Sequence, residues 1–208
     1  MQTKNYTTDL LPLIKSIFGA EFAPTELPRI KALINSRAKR AYRASDFWPR
    51  FLVVGEERVV TNGYVPWTET GLSAVDTFIR IHRTAPFVAS SAQDYDFYVD
   101  FTGAKVLDGA LNSASAFVTY KKQWTDSYGD GSSGTTLLVP DEWFEYLAHG
   151  TYSDWLRAEG QMEKAQIADM EAMDKLTDEL LRIDEMRASS LISTRISTNA
   201  NMQSRWSY

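Results

Sequence analysis

The chain has 208 residues, 44% of them hydrophobic and 12% aromatic, enough apolar material for a folded core over most of its length. It has no cysteine, which excludes disulfide scaffolds, thiol redox chemistry, cysteine nucleophiles and Cys-type zinc sites, and its net charge of −5 argues against a general nucleic-acid binder. From the N-terminus, TDLLPLIKSIF predicts a short helix over 8–18, capped by Thr7 or Thr8, with Pro12 in its first turn and Gly19 at its end. Leu10, Leu13, Ile14, Ile17 and Phe18 fall on one side of it. This apolar run is short and broken by Lys15, so it does not read as a secretory signal. No run reaches the roughly eighteen apolar residues of a membrane-spanning helix. The expectation is a soluble protein made in a reducing compartment.

The next stretch, APTELPRIKALINSRAKRAYRASDFW, predicts a longer helix over 25–44, capped by Thr25 with Pro28 in its first turn. Leu27, Ile30, Ile34, Ala38 and Ala41 keep the spacing of an apolar stripe, and the basic residues fall mostly off it. After Trp48-Pro49 the pattern changes. FLVVGEERVVT reads as two short strands joined at Gly55-Glu56, and Asn62-Gly63 signals a turn. In AVDTFIRIHRT, alternation places Val75, Thr77, Ile79 and Ile81 on one face and Asp76, Phe78, Arg80 and His82 on the other. YDFYVDF alternates as well, with Tyr95, Phe97, Val99 and Phe101 on one side. AKVLDG and AFVTYKKQW complete about six short strands, a small sandwich or half-barrel over 50–140.

Helical spacing returns at Leu138-Val139-Pro140-Asp141. Phe144, Leu147, Ala148, Thr151, Trp155 and Leu156 line one face through about Glu159, with Gly150 loosening the helix at its middle. Gly160 marks a turn, and a last helix is expected from about Gln161 to Arg187. Its late part repeats Met173, Leu176, Leu180 and Ile183; its early part repeats Ala165, Ala168 and Ala172, one position out of step. The short turn predicts an antiparallel pair. The closing segment, LISTRISTNANMQSRWSY, is almost all Ser, Thr, Asn and Gln with two arginines, and ends in Trp206 and Tyr208. The expected fold class is α+β: a helical bundle from 1–49 and 141–188, an inserted antiparallel β domain over 50–140, and an extended partner-binding tail over 189–208.

The residues that carry chemistry form no catalytic constellation. His82 sits on a strand face beside Arg80, which suits a half-exposed structural role, and His149 precedes Gly150 where it can meet helix-end carbonyls. DSYGDGSSGTT, from Asp126 to Thr136, lacks the Lys and following helix of a phosphate-binding loop, and its aspartates miss the spacing of a calcium loop. It reads as a loop. Carboxylate pairs such as Asp174 with Asp178 suit a solvated face. Lys121 and Lys122 among aromatic strands suggest a single-strand nucleic-acid platform, but Asp94, Asp96, Asp100 and Asp108 would repel a phosphate backbone. No catalytic residue, metal or cofactor is expected.

Charge is divided along the chain. Residues 1–50 hold nine basic and four acidic side chains, net +5; residues 141–186 hold thirteen acidic and four basic, net −9. These regions either neutralise each other within the fold or face each other between neighbouring copies. Candidates for contact between subunits are Arg37, Lys39, Arg40 and Arg43 on one side and Glu163, Asp169, Asp174 and Asp178 on the other.

Three stretches resemble the head-to-tail adaptor (connector) proteins of short-tailed bacteriophages: LINSRAKRAYRASDFWPRF, the β insertion closing on AFVTYKKQW, and LVPDEWFEYLAHGTYSDWLRAEGQMEKAQIADMEAMDKL with the polar tail after it. The resemblance covers most of the chain in order of elements, with an insertion longer than in the simplest members. It implies a virion protein of the neck, made in the host cytoplasm, that forms a ring of about twelve copies beneath the portal. Genomic DNA would pass through the channel without sequence-specific binding. A tail or nozzle protein would bind below, and no membrane is involved. The C-terminal segment would extend onto the portal, with Trp206 and Tyr208 as anchors and Arg195 and Arg205 supplying charge-assisted bonds. The alternatives are another phage tail or assembly protein, or a carboxylate-based hydrolase.

Overall fold

A computed structural model of the chain describes residues 3–19, 21–86, 94–107, 114–125 and 138–203. The fold is α+β and divides into two compact units, Met1–Ser45 with Ser127–Tyr208, and Asp46–Asp126. The first is helical and assembled from both halves of the chain; the second is the β insertion. The insertion is shorter than the expected 50–140 because Leu138–Pro140 (β8) pairs antiparallel with Thr3–Asn5 (β1) in the helical unit.

In the helical unit, a π-type turn over Tyr6–Leu10 leads into α1, Leu11–Phe18. No side chain caps α1, because the residue at its cap position is already helical. The second helix, α2, spans Leu27–Ala44 with Pro28 in its first turn, and Glu26 rather than Thr25 stands at its cap position. Its buried face carries Ile30, Ile34, Ala38 and Ala41, the expected stripe, and also Arg37 and Tyr42. A single tight turn over Asp141–Trp143 starts α3, Phe144–Ala158; Glu159–Gln161 then turn the chain into α4, Met162–Gln203.

Helices α3 and α4 are antiparallel neighbours. Ser153 hydrogen-bonds the Ala165 carbonyl at 2.8 Å, His149 faces Glu171 at 3.2 Å and Glu145 pairs with Lys175 at 2.7 Å, so advancing along α3 means retreating along α4. Small residues make the approach close: Ser153 on α3, Ala165, Ala168 and Ala172 on α4, all buried. The apolar face of α4 is one stripe, continuing through Leu176 to Ile183. The expected change of step does not occur, because Met173 is 47% exposed and Leu176 carries on the four-residue spacing from Ala172. On the other side of α3, the Phe18 ring of α1 lies 4.8 Å from Tyr152 and 5.0 Å from Trp155.

The backbone of α4 stays helical to Gln203, past the expected end at Arg187, so residues 189–203, expected as an extended tail, continue the helix instead. No Gly or Pro follows Gly160 to break it, and Ser, Thr and Asn each cost at most about 0.7 kcal/mol relative to Ala in a helix.

Among the described residues the β unit has six strands in two antiparallel three-stranded sheets; the number is as expected, but Leu52–Val59 is one strand where two were expected, and Tyr64–Pro66 is a strand the pattern did not predict. One is ordered β2 (Leu52–Val59), β7 (Ser115–Lys122), β4 (Val75–His82); the other β3 (Tyr64–Pro66), β6 (Gly103–Val106), β5 (Phe97–Val99). Both contribute to one core of Val65, Val75, Phe78, Ile81, Ala104, Val106, Val118 and Tyr120. Burying each large apolar side chain there stabilises the unit by about 1.5–3 kcal/mol.

Three expectations fail here, two of them because a bulge shifts the register. The segment 52–59 is one strand, with an irregular register between Val53 and Glu56 and Gly55 at φ +64°, so Gly55 makes a bulge and no turn. Strand β4 does not alternate simply: register shifts at Val75/Thr77 and Phe78/Arg80 put Val75, Phe78 and Ile81 inward at a spacing of three. Strand β5 stops at Val99, and Phe101, expected inward, is 95% exposed on the turn from Asp100 to Gly103. Asp100 shapes that turn: its Oδ1 accepts from the Thr102 N–H at 2.7 Å and the Gly103 N–H at 3.3 Å.

Candidate functional site

The charged residues of the helical unit fall into two groups. Arg37 points inward from α2 and is 1% exposed. Its Nε and Nη2 donate to Asp154 Oδ2 and Oδ1, both at 2.7 Å, and Nη2 also lies 2.7 Å from Asp169 Oδ1 on α4. Arg157 reaches the same carboxylates, 2.7 Å from Asp169 and 3.5 Å from Asp154. The bidentate fork matches the planar guanidinium, and burial makes the pairing strong. Burial alone would lower the Arg37 pKa, but the Asp154 and Asp169 contacts outweigh it and raise it. Burial would likewise raise the Asp169 carboxyl, but hydrogen bonds from Arg37 and Arg157 hold it below its ordinary value. Arg37 and Asp169, expected at a contact between subunits, therefore meet each other inside one chain. A basic residue off the apolar stripe reads as solvated from sequence; nothing local reveals that Asp154 and Asp169 come to meet it.

The remaining six candidates stay on the surface. Lys39, Arg40 and Arg43 on α2 are exposed and have no ion-pair partner among the described residues; Glu163, Asp174 and Asp178 on α4 are exposed as well. Asp178 also belongs to a cleft of about 450 Å³ between the start of α3 and α4, lined by Asp141, Glu142, Glu145, Lys175 and Glu179 among others. Glu145 and, more weakly, Asp178 and Glu171 raise the Lys175 pKa. The Glu179 carboxyl is pushed above its ordinary value, first by burial and then by Glu142, Asp141 and Asp178, against the pull of Arg182. The cleft is a region of negative potential suited to cationic side chains.

The β unit holds two polar networks that periodicity does not reveal. His82, 5% exposed and so more buried than expected, places Nδ1 2.6 Å from Asp94 and Nε2 3.0 Å from the Thr119 hydroxyl, which accepts from the Gly55 N–H at 3.2 Å. The order acid, imidazole, hydroxyl is that of a nucleophilic triad, but Thr119 is 7% exposed within the central strand β7. The line runs from β4 through β7 to β2 and ties three strands together. In the second network, Arg58 donates from Nη2 to Glu56 at 3.0 Å, the Ser73 carbonyl at 2.5 Å and the Tyr120 hydroxyl at 2.7 Å, and Tyr120 in turn donates to Glu56 at 2.6 Å. Lys121, weighed above for a nucleic-acid platform, is 2% exposed and paired with Asp46 at 3.3 Å.

Of the tail candidates, Arg195 lies on the helical backbone of α4, while Arg205, Trp206 and Tyr208 lie outside the described residues, as does the segment from Asp126 to Thr136. Among the described residues no group of three His, Asp or Glu side chains converges as a metal site, and no helix is long and apolar enough to cross a membrane. Compared with known proteins, the chain matches no family model and no curated sequence.

Proposed function

We propose that the protein is a structural component of a virion, a head-to-tail adaptor that forms a ring joining the portal to the tail of a short-tailed bacteriophage, with DNA passing through its channel. The observation that carries this reading is the pair of unlike charged surfaces on one compact unit. Lys39, Arg40 and Arg43 remain exposed on α2, and Glu163, Asp174 and Asp178 remain exposed on α4, after Arg37 and Asp169 have been used internally. A head-to-tail ring needs two different complementary patches on each subunit. The element order supports it too: two helices, a β insertion and two more helices are what the resemblance implies. The buried polar networks tie strands and helices together within each unit.

On this reading the C-terminal segment reaches the portal. Arg195, on the helical backbone of α4, and Arg205, Trp206 and Tyr208 beyond it supply its contacts, the two aromatics as anchors. The test is an electron-microscopy reconstruction of the full chain mixed with a portal ring, beside a truncation ending at Ala188. The full chain is expected to add as a ring and the truncation to fold but not attach. A full chain that ignores the portal overturns the adaptor reading; a truncation that attaches equally well overturns the role of the tail.

A further inference from the structure

Helix α4 carries a second seam, away from the stripe it buries. Glu163, Ile167, Met170, Asp174, Thr177 and Leu181 recur at alternating steps of four and three, the spacing of one helix face. Its three apolar members are open to solvent: Ile167 is 61% exposed, Met170 62% and Leu181 56%. Single exposed apolar residues are ordinary, but three on one seam of one helix are a surface that awaits a cover.

The charge on the seam selects that cover. Glu163 and Asp174 lie within it and Asp178 beside it, so a second α4 laid against the first would set carboxylates against carboxylates. Such like-charge contact disfavours the pairing of α4 with itself. A fitting surface must have room for Ile167 and Met170 and bring cations to Asp174 and Asp178. Helix α2 presents such a face. Arg29, Ala32, Ser36, Lys39 and Arg43 also recur at steps of three and four, all exposed, with Arg40 beside them. Ala32 and Ser36 are small and exposed, and Lys39, Arg40 and Arg43 lack ion-pair partners among the described residues. The spacings agree as well. At 1.5 Å per residue, the Ala32–Ser36 pair lies about 10 Å from the cations along α2, and the Ile167–Met170 pair lies about 11 Å from the Asp174–Asp178 pair along α4.

We propose that the outward seam of α4 seats on the exposed face of α2 in a second copy of this chain, Ile167 and Met170 over Ala32 and Ser36, Asp174 and Asp178 against Lys39, Arg40 and Arg43. This rests on the ring reading above and names the surfaces that build the ring. The contact is heterologous: each copy offers one α4 seam and one α2 face, so contacts propagate until the ring closes.

Two triple variants of the full chain test it. In one, Lys39→Glu, Arg40→Glu and Arg43→Glu make both surfaces acidic; in the other, Glu163→Lys, Asp174→Lys and Asp178→Lys make both basic. Wild-type chain is expected to self-associate with rising concentration in sedimentation velocity, and each variant alone to associate at least about tenfold more weakly. An equal mixture is expected to recover wild-type association, because the acidic seam of one variant meets the basic face of the other and the reverse, alternately around the ring. A misfolded variant could not be rescued in this way. The proposal is overturned if the wild-type chain stays monomeric at every concentration, if either variant associates as the wild type does, or if the mixture stays as weak as its components. Portal binding is read separately: a chain that associates through these faces yet ignores the portal sinks the adaptor reading and leaves the interface standing.

Discussion

Arg37 crosses α3 at Gly150. A methyl group at Gly150 would stand 2.9 Å from Arg37 Cδ, 3.1 Å from its Nε and 3.3 Å from its Cζ. The glycine in the middle of α3 reads from sequence as a weak point of the helix; it is the gap through which a buried guanidinium reaches Asp154 and Asp169. Replacing Gly150 with Ala gains about 1 kcal/mol of helix propensity, while crowding in a packed site costs about 1–3 kcal/mol. The arginine end is held by two 2.7 Å hydrogen bonds to Asp154 and cannot swing aside cheaply, so the cost wins. Gly150→Ala is expected to lower stability in urea unfolding, and to become neutral or stabilising when Arg37→Ala is already present. A Gly150→Ala penalty unchanged by Arg37→Ala would mean that the two residues are not coupled.

The two buried arginines should respond differently to Met. Removing Arg37 leaves Asp154 and Asp169 in a half-buried site with Arg157 as their remaining cation, and breaking such a buried pair costs about 3–5 kcal/mol, the lower end being expected because Arg157 stays. Arg58 differs, because its Nε and Nη1 have no hydrogen-bond partner among the described residues, and Glu56 keeps its bond from Tyr120 when the arginine goes. Each unsatisfied buried group costs about 1–3 kcal/mol, so its removal returns part of what the lost bonds take away. Arg58→Met is expected to cost under about 2 kcal/mol, less than Arg37→Met. Equal losses in urea unfolding would refute the distinction.

Local pattern made much of this fold legible, and the misreadings have identifiable physical causes. The stripe Ile30, Ile34, Ala38, Ala41 and the antiparallel pair joined at Gly160 follow from helical spacing and a turn residue. Periodicity fails where one inserted residue changes the phase: two bulges in β4 exchange Ile79 for Phe78 on the core face, and one at Gly55 turns two expected strands into one. It fails again where partners lie far apart in the chain. Arg37 and Asp154 are 117 residues apart, and His82 and Thr119 37 apart, so neither network has a local signature. The end of α4 was hidden for another reason: Ser, Thr and Asn weaken a helix without stopping it.

Gly103 tests the β unit. Its φ is +152°, and a Cβ there would lie 2.1 Å from the Val65 carbonyl oxygen on β3, backbone that has nowhere to go. Gly103→Ala is expected to separate β3 from β6 locally and cost about 3 kcal/mol or more, beyond the usual cost of overpacking. Hydrogen exchange at the amides of Tyr64, Val65 and residues 103–106 reads this directly. Protection as in the wild type would show that the close approach is not required.

Two carboxyls should give stability differences of opposite sign. Asp169 is held below its ordinary value near 3.8, so its ionised form stabilises the fold: the contribution is complete above that value and is lost as pH falls through the lower folded value. Glu179 is held above its ordinary value near 4.5, so its ionised form costs stability: the cost is absent below that value and complete once pH has risen through the higher folded value. At neutral pH, Asp169→Asn should therefore melt below the wild type and Glu179→Gln above it. On acidification the Glu179→Gln advantage should fade first, as the wild-type carboxyl takes up its proton, and the Asp169→Asn deficit should close only at lower pH. Melting temperatures of the three proteins, taken at steps from neutral pH down to about pH 3, read both trends. If Glu179→Gln melts below the wild type at neutral pH, the contact with Arg182 outweighs burial and the surrounding carboxylates.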